Sequence, residues 1–121
     1  MMTHNTDLGR EGEEFAAGYL KRQGYWIQER NWKQPFGELD IVAIAPDKTL
    51  VFVEVKTTRP GELSSEDEMT EAKLKKFRRT AALYANARPD LVDDDKGWRL
   101  DVIALEKYND GSFSIRRYEN I

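Results

Sequence analysis

The chain has 121 residues, of which 40% are hydrophobic and 34% charged, and its formal net charge is -3. This length suits one domain, and the hydrophobic content is enough for a core. No cysteine is present, which excludes disulfide scaffolds, iron–sulfur clusters and thiol catalysis. The single histidine, His4, leaves a Ser-His-Asp triad and a multi-histidine zinc site without the residues they need. Neither a signal peptide nor a membrane span is evident, so we expect a cytoplasmic protein that makes no membrane contact, with any metal chemistry based on carboxylates.

The periodicity of apolar residues predicts a first helix over residues 7–23, after a flexible leader over residues 1–6. At about 100° per residue, Glu13 falls at the edge of the apolar stripe and Glu14 points away from it. Glu13 is therefore the acidic side chain of this helix that we expect nearest to the rest of the fold.

Three strands are predicted next, over residues 25–32, 38–44 and 50–57. The connection formed by residues 45–49 is too short for a parallel crossover, so the second and third strands must form an antiparallel hairpin. With a loop centred on Asp47, positions whose numbers sum to 94 face each other across this hairpin.

A second helix is predicted over residues 65–87, where Ser65 and Glu68 form a capping-box pattern. Two further strands are predicted over residues 98–105 and 112–118. The order of helix, three strands, helix and two strands indicates a single α/β domain around a sheet of mixed direction.

The hairpin register places Asp40 opposite Glu54, and Glu38 opposite Lys56, on one face. Two carboxylates about 5 Å apart repel by on the order of 3 kcal/mol at an effective dielectric near 20. A divalent cation bound between Asp40 and Glu54 would remove that cost, and Mg²⁺ fits best because it takes one or two carboxylates and keeps several waters. Lys56 projects from the same face, where it can hold an attacking water in line. The alternative reading is an ordinary solvated strand face with a Glu38–Lys56 cross-strand pair.

Asp40, followed on the next strand by Glu54-Val55-Lys56, resembles the signature of the PD-(D/E)XK nucleases, which have the restriction-endonuclease-like fold. Further blocks from about Leu8 to Leu105 resemble the UPF0102 (YraN-like) family, which is related to the archaeal Holliday-junction resolvases. These blocks are Gly9-Arg10-Glu11-Gly12-Glu13, Gly24-Tyr25, Asn31-Trp32, Gly37-Glu38-Leu39-Asp40, Val51-Phe52-Val53-Glu54-Val55-Lys56-Thr57 and Arg99-Leu100-Asp101-Val102.

The resemblance implies an αβββαβ core with a mixed central sheet flanked by helices. It also implies an active site of Glu13, Asp40, Glu54 and Lys56, with Mg²⁺ or Mn²⁺ held by Asp40, Glu54 and the Val55 carbonyl. Two departures from the family pattern, at Pro35 and Thr58, concern the DNA contacts rather than the metal site.

Candidate nucleic-acid contacts are Arg10, Arg59 and Lys73. Lys73 lies at the edge of the second helix's apolar stripe, whereas Lys75, Lys76 and Arg79 lie on its outer face. The three tryptophans could stack on bases, but core packing is the more common role of aromatic residues near strands; they are Trp26, Trp32 and Trp98.

The sequence therefore favours a metal-dependent endonuclease that acts on structured or branched DNA, in repair or recombination. One alternative is a nucleic-acid-binding module that kept the fold without turnover. Another is an assembly protein that forms a homodimer through the Phe36 loop and the last strand; a resolvase would also need a symmetric dimer.

Overall fold

The computed structural model describes residues 2–62 and 69–121, and the side chains of residues 2–6 are outside that description. The helices and strands follow the predicted order, and a short 3₁₀ turn lies between α2 and β4. Their bounds are α1 (Met2–Arg22), β1 (Trp26–Gln34), β2 (Gly37–Ile44), β3 (Leu50–Thr58), α2 (Glu71–Ala87), the 3₁₀ turn (Pro89–Leu91), β4 (Trp98–Lys107) and β5 (Phe113–Tyr118).

The five strands form one sheet in the order β1-β2-β3-β4-β5. β3 and β4 are parallel and the other neighbours are antiparallel, so the predicted mixed α/β sheet is confirmed. Each helix covers one face, because alternate residues of the central strands are apolar on both sides. On the α1 face the buried core includes Leu20, Ile41, Val51, Val53 and Ile103, and on the α2 face it includes Val42, Leu50, Phe52, Phe77 and Leu100.

Both helices begin at positions other than those predicted. α1 starts at Met2 rather than at residue 7. α2 starts at Glu71, where the Thr70 side chain accepts a hydrogen bond of 3.2 Å from the Lys73 main-chain N–H. The predicted helix over residues 65–87 is thus wrong at its start, because Thr70 caps the helix in extended conformation. The expected capping box, Ser65 with Glu68, lies outside the described residues.

The predicted hairpin register is confirmed from Ile44, opposite Leu50, back to Ile41, opposite Val53. There the regular ladder between β2 and β3 ends, so Asp40 and Glu54 are not paired main chain to main chain as the expected register would have it. The strands separate at the point where the candidate site begins.

Side-chain alternation also breaks at Asp40. Leu39 and Val42 both pack on the α2 face, although Ile41 packs on the α1 face. On the neighbouring strand, Asn31 lies between residues paired with Leu39 and Ile41, and its φ of 52° is in the left-handed region. The irregularity at Asn31 and Asp40 therefore changes, in both β1 and β2, which face of the sheet the side chains on either side of it point to.

Close approach of each helix to the sheet requires a glycine. A Cβ at Gly12 of α1 would collide with the Thr57 side chain of β3. A Cβ at Gly37 of β2 would collide with the Thr80 hydroxyl of α2. These contacts fix how near α1 and α2 lie to the strands that bear the candidate site.

Within residues 2–62 and 69–121, neither helix combines the length and the apolar character that crossing a bilayer would require.

Candidate functional site

A cleft of about 480 Å³ opens between the start of α2 and the sheet, beside the separated ends of β2 and β3. It contains three of the residues selected from sequence, Glu54, Lys56 and Lys73. The other lining residues are Lys33, Gln34, Pro35, Gly37, Glu38, Met69, Lys76, Phe77 and Thr80. Four lysines and two glutamates therefore face one depression.

Asp40 is held by the main chain of the neighbouring strand. Its Oδ2 accepts a hydrogen bond of 2.8 Å from the Val55 N–H. This bond replaces the main-chain pairing that the hairpin loses beyond Ile41 and Val53. The Asp40 carboxylate is thus fixed next to the Glu54-Val55-Lys56 segment.

Burial raises the pKa of the Asp40 carboxyl to about 7, with the negative charge of Glu54 as the second cause. Glu13 and Glu38 raise this pKa further, whereas the hydrogen bond from Val55 lowers it. Three acidic side chains from α1, β2 and β3 therefore act on Asp40.

Lys56 and Glu54 form an ion pair, with 3.3 Å between Lys56 Nζ and Glu54 Oε2. Their side chains are 31% and 24% exposed, so the pair is accessible from the cleft without being fully solvated. The alternation of β3 places both on one face, as predicted, and this is the α2 face, on which Leu50 and Phe52 also pack. Lys56 therefore pairs along its own strand, and the Glu38–Lys56 cross-strand pair of the alternative interpretation is absent from the ion pairs of the described residues.

Glu13 does not line the cleft; it lies on the α1 side of the sheet and acts on Asp40 through its charge. It lines a second depression, of about 740 Å³, together with Arg10, Arg30 and Lys33. As predicted from the helical pattern, Glu13 is half-buried and Glu14 is exposed. Lys33 lines both depressions, so they meet at β1.

The three residues predicted to contact nucleic acid lie in different parts of the structure. Lys73 lines the cleft, and Arg10 lines the second depression, where its Nη1 is 4.0 Å from Asp7 Oδ1. Arg59 lies in the turn after β3, where its N–H donates to Glu62, and it is not among the residues that line either depression. The assignment of Lys76 to the outer face of α2 is wrong, because Lys76 also lines the cleft.

Sequence reasoning missed Lys33 and the irregularity at Asn31. The predicted hairpin register relies on strict alternation along β2, and the break at Asp40 places residues before and after it on other faces than alternation predicts. Asn31 itself was a usable signal, because asparagine is depleted in strands and enriched in the left-handed region. Of the tryptophans, Trp32 and Trp98 pack on the α2-face core, but Trp26 is 68% exposed.

The oxygen donors at this site are of the hard type that Mg²⁺ takes in proteins, namely the carboxylates of Asp40 and Glu54 and the carbonyl of Val55. Asp40 uses only Oδ2 in its bond to Val55. In the described part of the chain, no three histidine, aspartate or glutamate side chains form a group that could hold a metal ion. Water and a substrate phosphate would therefore have to complete the coordination, as is usual for Mg²⁺.

The Arg99-Leu100-Asp101-Val102 block has a structural role on the opposite face. Asp101 is fully buried and accepts hydrogen bonds from Arg99 Nε and the Asn120 N–H, both at 3.0 Å. Arg117 lies 3.3 Å from the same carboxylate. This network joins β4 to β5 and the C-terminal segment.

The family model described as "Uncharacterised protein family UPF0102" matches residues 12–105. A UPF0102 protein of Mycobacterium ulcerans is 43% identical over 103 residues, which are 81% of this chain and 80% of the relative. A UPF0102 protein of Syntrophotalea carbinolica is 42% identical over 112 residues, 91% of this chain and 87% of the relative. A UPF0102 protein of Corynebacterium diphtheriae is 33% identical over 119 residues, 98% of this chain and 93% of the relative. The chain belongs to the UPF0102 family.

Proposed function

We propose that this protein is a Mg²⁺-dependent endonuclease that hydrolyses phosphodiester bonds in structured or branched DNA. The observation that best supports the proposal is the position of Asp40. Its hydrogen bond to the Val55 N–H keeps it beside Glu54, and the Lys56 ammonium lies 3.3 Å from the Glu54 carboxylate. Two acids that can hold a divalent cation, beside a lysine that can position an attacking water, are suited to metal-assisted phosphodiester hydrolysis.

Asp40, Glu54 and the Val55 carbonyl would hold the ion, with Mn²⁺ as a substitute for Mg²⁺. When bound, a divalent cation supplies Lewis-acid activation of the phosphate and lowers the pKa of water. Lys56 would orient the attacking water and stabilise negative charge on the phosphate. Glu13, from the other side of Asp40, would assist as a further contact to water.

The cations of the cleft would position the substrate. Lys33, Lys73 and Lys76 line the depression that contains Glu54 and Lys56. Lysines contact phosphates without reading the base sequence, so we expect recognition of DNA shape rather than of sequence. The protein's negative net charge does not conflict with this role, because four of its nine lysines line this one cleft.

The test is cleavage of a panel of labelled DNAs by the purified protein with Mg²⁺ or Mn²⁺: a four-way junction, a flap, a single strand and a plain duplex. We expect metal-dependent cleavage of at least one structured substrate, and its loss in Lys56→Met. Lys75→Met is the matched control, because Lys75 is an exposed lysine of α2 outside the cleft lining.

Binding of these DNAs without cleavage in either metal would contradict the endonuclease proposal. It would instead favour a non-catalytic nucleic-acid-binding or assembly module that kept the fold.

A further inference from the structure

The α2 face of the sheet continues past the cleft onto β4 and β5. In one row across the strands, Lys56 of β3 lies opposite Ala104 of β4, and Ala104 lies opposite Arg116 of β5. The small alanine leaves a gap between two long cationic side chains. A shallow pocket of about 100 Å³ occupies this position.

The pocket adjoins the cleft, because Lys56 lines both. Its rim provides two hydroxyl groups, from Thr58 and Ser114, and one carboxylate, from Glu106. Adjacent strands are about 4.8 Å apart, so Lys56 and Arg116 arise from backbones about 10 Å apart and can both reach a group above Ala104.

Arg116 is available for a ligand. It is exposed, and it forms no ion pair with any side chain in 7–62 or 69–121. The next residue along β5, Arg117, is not available in this way, because it points to the α1 face and pairs with buried Asp101. The alternation of the strand therefore leaves Arg116 directed to the face that the cleft opens onto.

An exposed aromatic ring lies in the next row. Tyr118 is opposite Val102, which is opposite Glu54, and its side chain is 49% exposed. Tyr118 and Arg116 are two positions apart on β5, so they project from the same face. A cation and an adjacent aromatic ring are the combination with which proteins hold a phosphate and stack a base of one nucleic-acid strand.

We propose that Lys56, Ala104 and Arg116 form a phosphate subsite, with Tyr118 as a base-stacking platform, for a single strand that leaves the cleft across β4 and β5. The proposal rests on the proposed function in that it takes the cleft to bind nucleic acid. It adds that the bound nucleic acid is single-stranded where it leaves the cleft. It also adds that the nucleic acid runs across β4 and β5, away from the lysines of α2.

The experiment measures binding of a fluorescently labelled single-stranded oligothymidylate of about 16 nucleotides, in EDTA and over a range of KCl concentrations. We expect Arg116→Ala to weaken binding and to lower the slope of log K against log salt by about 0.7. We expect Tyr118→Ala to weaken binding by about five-fold or more at every salt concentration, without changing the slope.

Two controls remove similar side chains elsewhere. Arg22→Ala deletes an exposed arginine at the end of α1, and Trp26→Ala deletes an exposed aromatic ring on β1. Both should bind like the wild type. Equal losses in the controls, an unchanged slope in Arg116→Ala, or no binding by the wild type would overturn the subsite.

Because EDTA excludes catalysis, this result is independent of cleavage. Arg116-dependent binding together with failed cleavage would overturn the nuclease proposal while supporting the subsite. Cleavage without an effect of Arg116→Ala or Tyr118→Ala on binding would overturn the subsite while supporting the nuclease proposal.

Discussion

The carboxylate of Asp40 accepts a 2.8 Å hydrogen bond from the main-chain N–H of Val55. The ladder between β2 and β3 ends at the pair of Ile41 and Val53, so a side chain of β2 satisfies an amide of β3 that the main chain of β2 no longer reaches. The bond holds Asp40 beside Glu54, although their mutual repulsion opposes that arrangement.

We expect the stability of the metal-free protein to depend on pH through Asp40. Burial and the charge of Glu54 raise its folded-state pKa to about 7, above the roughly 3.9 of an unfolded chain. The stability contributed by the protonated Asp40 carboxyl is therefore fully present below about pH 4 and is lost as the pH rises through about 7. In EDTA, the stability advantage of Asp40→Asn over the wild type should grow between about pH 5 and pH 8. A constant advantage over that range would show that Asp40 titrates normally.

The two glutamates of α1 should behave differently. Glu13 adds to the negative charge around Asp40, so Glu13→Gln should raise metal-free stability near neutral pH by up to about 1 kcal/mol. Glu14 forms an exposed ion pair with Arg30 at 2.7 Å, so Glu14→Gln should change stability by no more than about 0.5 kcal/mol. Urea unfolding of both variants in EDTA makes the comparison. Equal effects would mean that Glu13 does not act on Asp40.

A pair of glycines tests how α1 is positioned. Gly12→Ala should lower stability by about 1–3 kcal/mol, because the new methyl group would collide with the short, branched side chain of Thr57. Gly9→Ala in the same helix meets no atom within 4 Å and should raise stability by about 0.5–1 kcal/mol. Thermal unfolding of the two variants should give shifts of opposite sign. A stabilised Gly12→Ala would contradict the close contact between α1 and β3.

The order of elements and most of the hairpin register could be predicted from the sequence, because both depend on local signals. Residues 45–49 are too few for anything but a hairpin, and strand periodicity sets its register from Ile44 to Ile41. The start of α2 could not be predicted, because residues 65–68 and Thr70 both offer cap-like side chains. The capping pattern alone does not distinguish them, and in the structure the Thr70 side chain accepts the capping hydrogen bond from the Lys73 N–H.

Lys73 provides a test of the cleft as a nucleic-acid interface. Lys73→Ala should weaken binding to duplex DNA irrespective of sequence and lower the salt slope by about one. Lys75→Ala, which removes an exposed lysine outside the cleft lining, should leave the slope unchanged. An unchanged slope in Lys73→Ala together with a lower melting temperature would mean that Lys73 only covers apolar surface.

For the candidate site, the sequence was sufficient where one strand determines the geometry. Glu54 and Lys56 share a face because they are two positions apart on β3. The sequence was not sufficient where two irregular strands interact. The left-handed conformation of Asn31 and the displacement of Asp40 together break the side-chain alternation of β1 and β2. Asp40 therefore bonds to the Val55 amide instead of lying in a regular pair with Glu54, which no pairwise register could predict.

On the proposed function, Asp40 and Glu54 repel each other until a divalent cation binds between them. Thermal unfolding of the wild type and Asp40→Asn, each in EDTA and in millimolar Mg²⁺, measures both the repulsion and its relief by the cation. Near neutral pH, Asp40→Asn should be more stable than the wild type in EDTA by roughly 1–3 kcal/mol, because asparagine keeps an acceptor for Val55 and loses the charge. Mg²⁺ should stabilise the wild type and leave Asp40→Asn unchanged. If Asp40→Asn is less stable in EDTA and Mg²⁺ shifts both proteins equally, Asp40 is a structural carboxylate and the metal site does not exist.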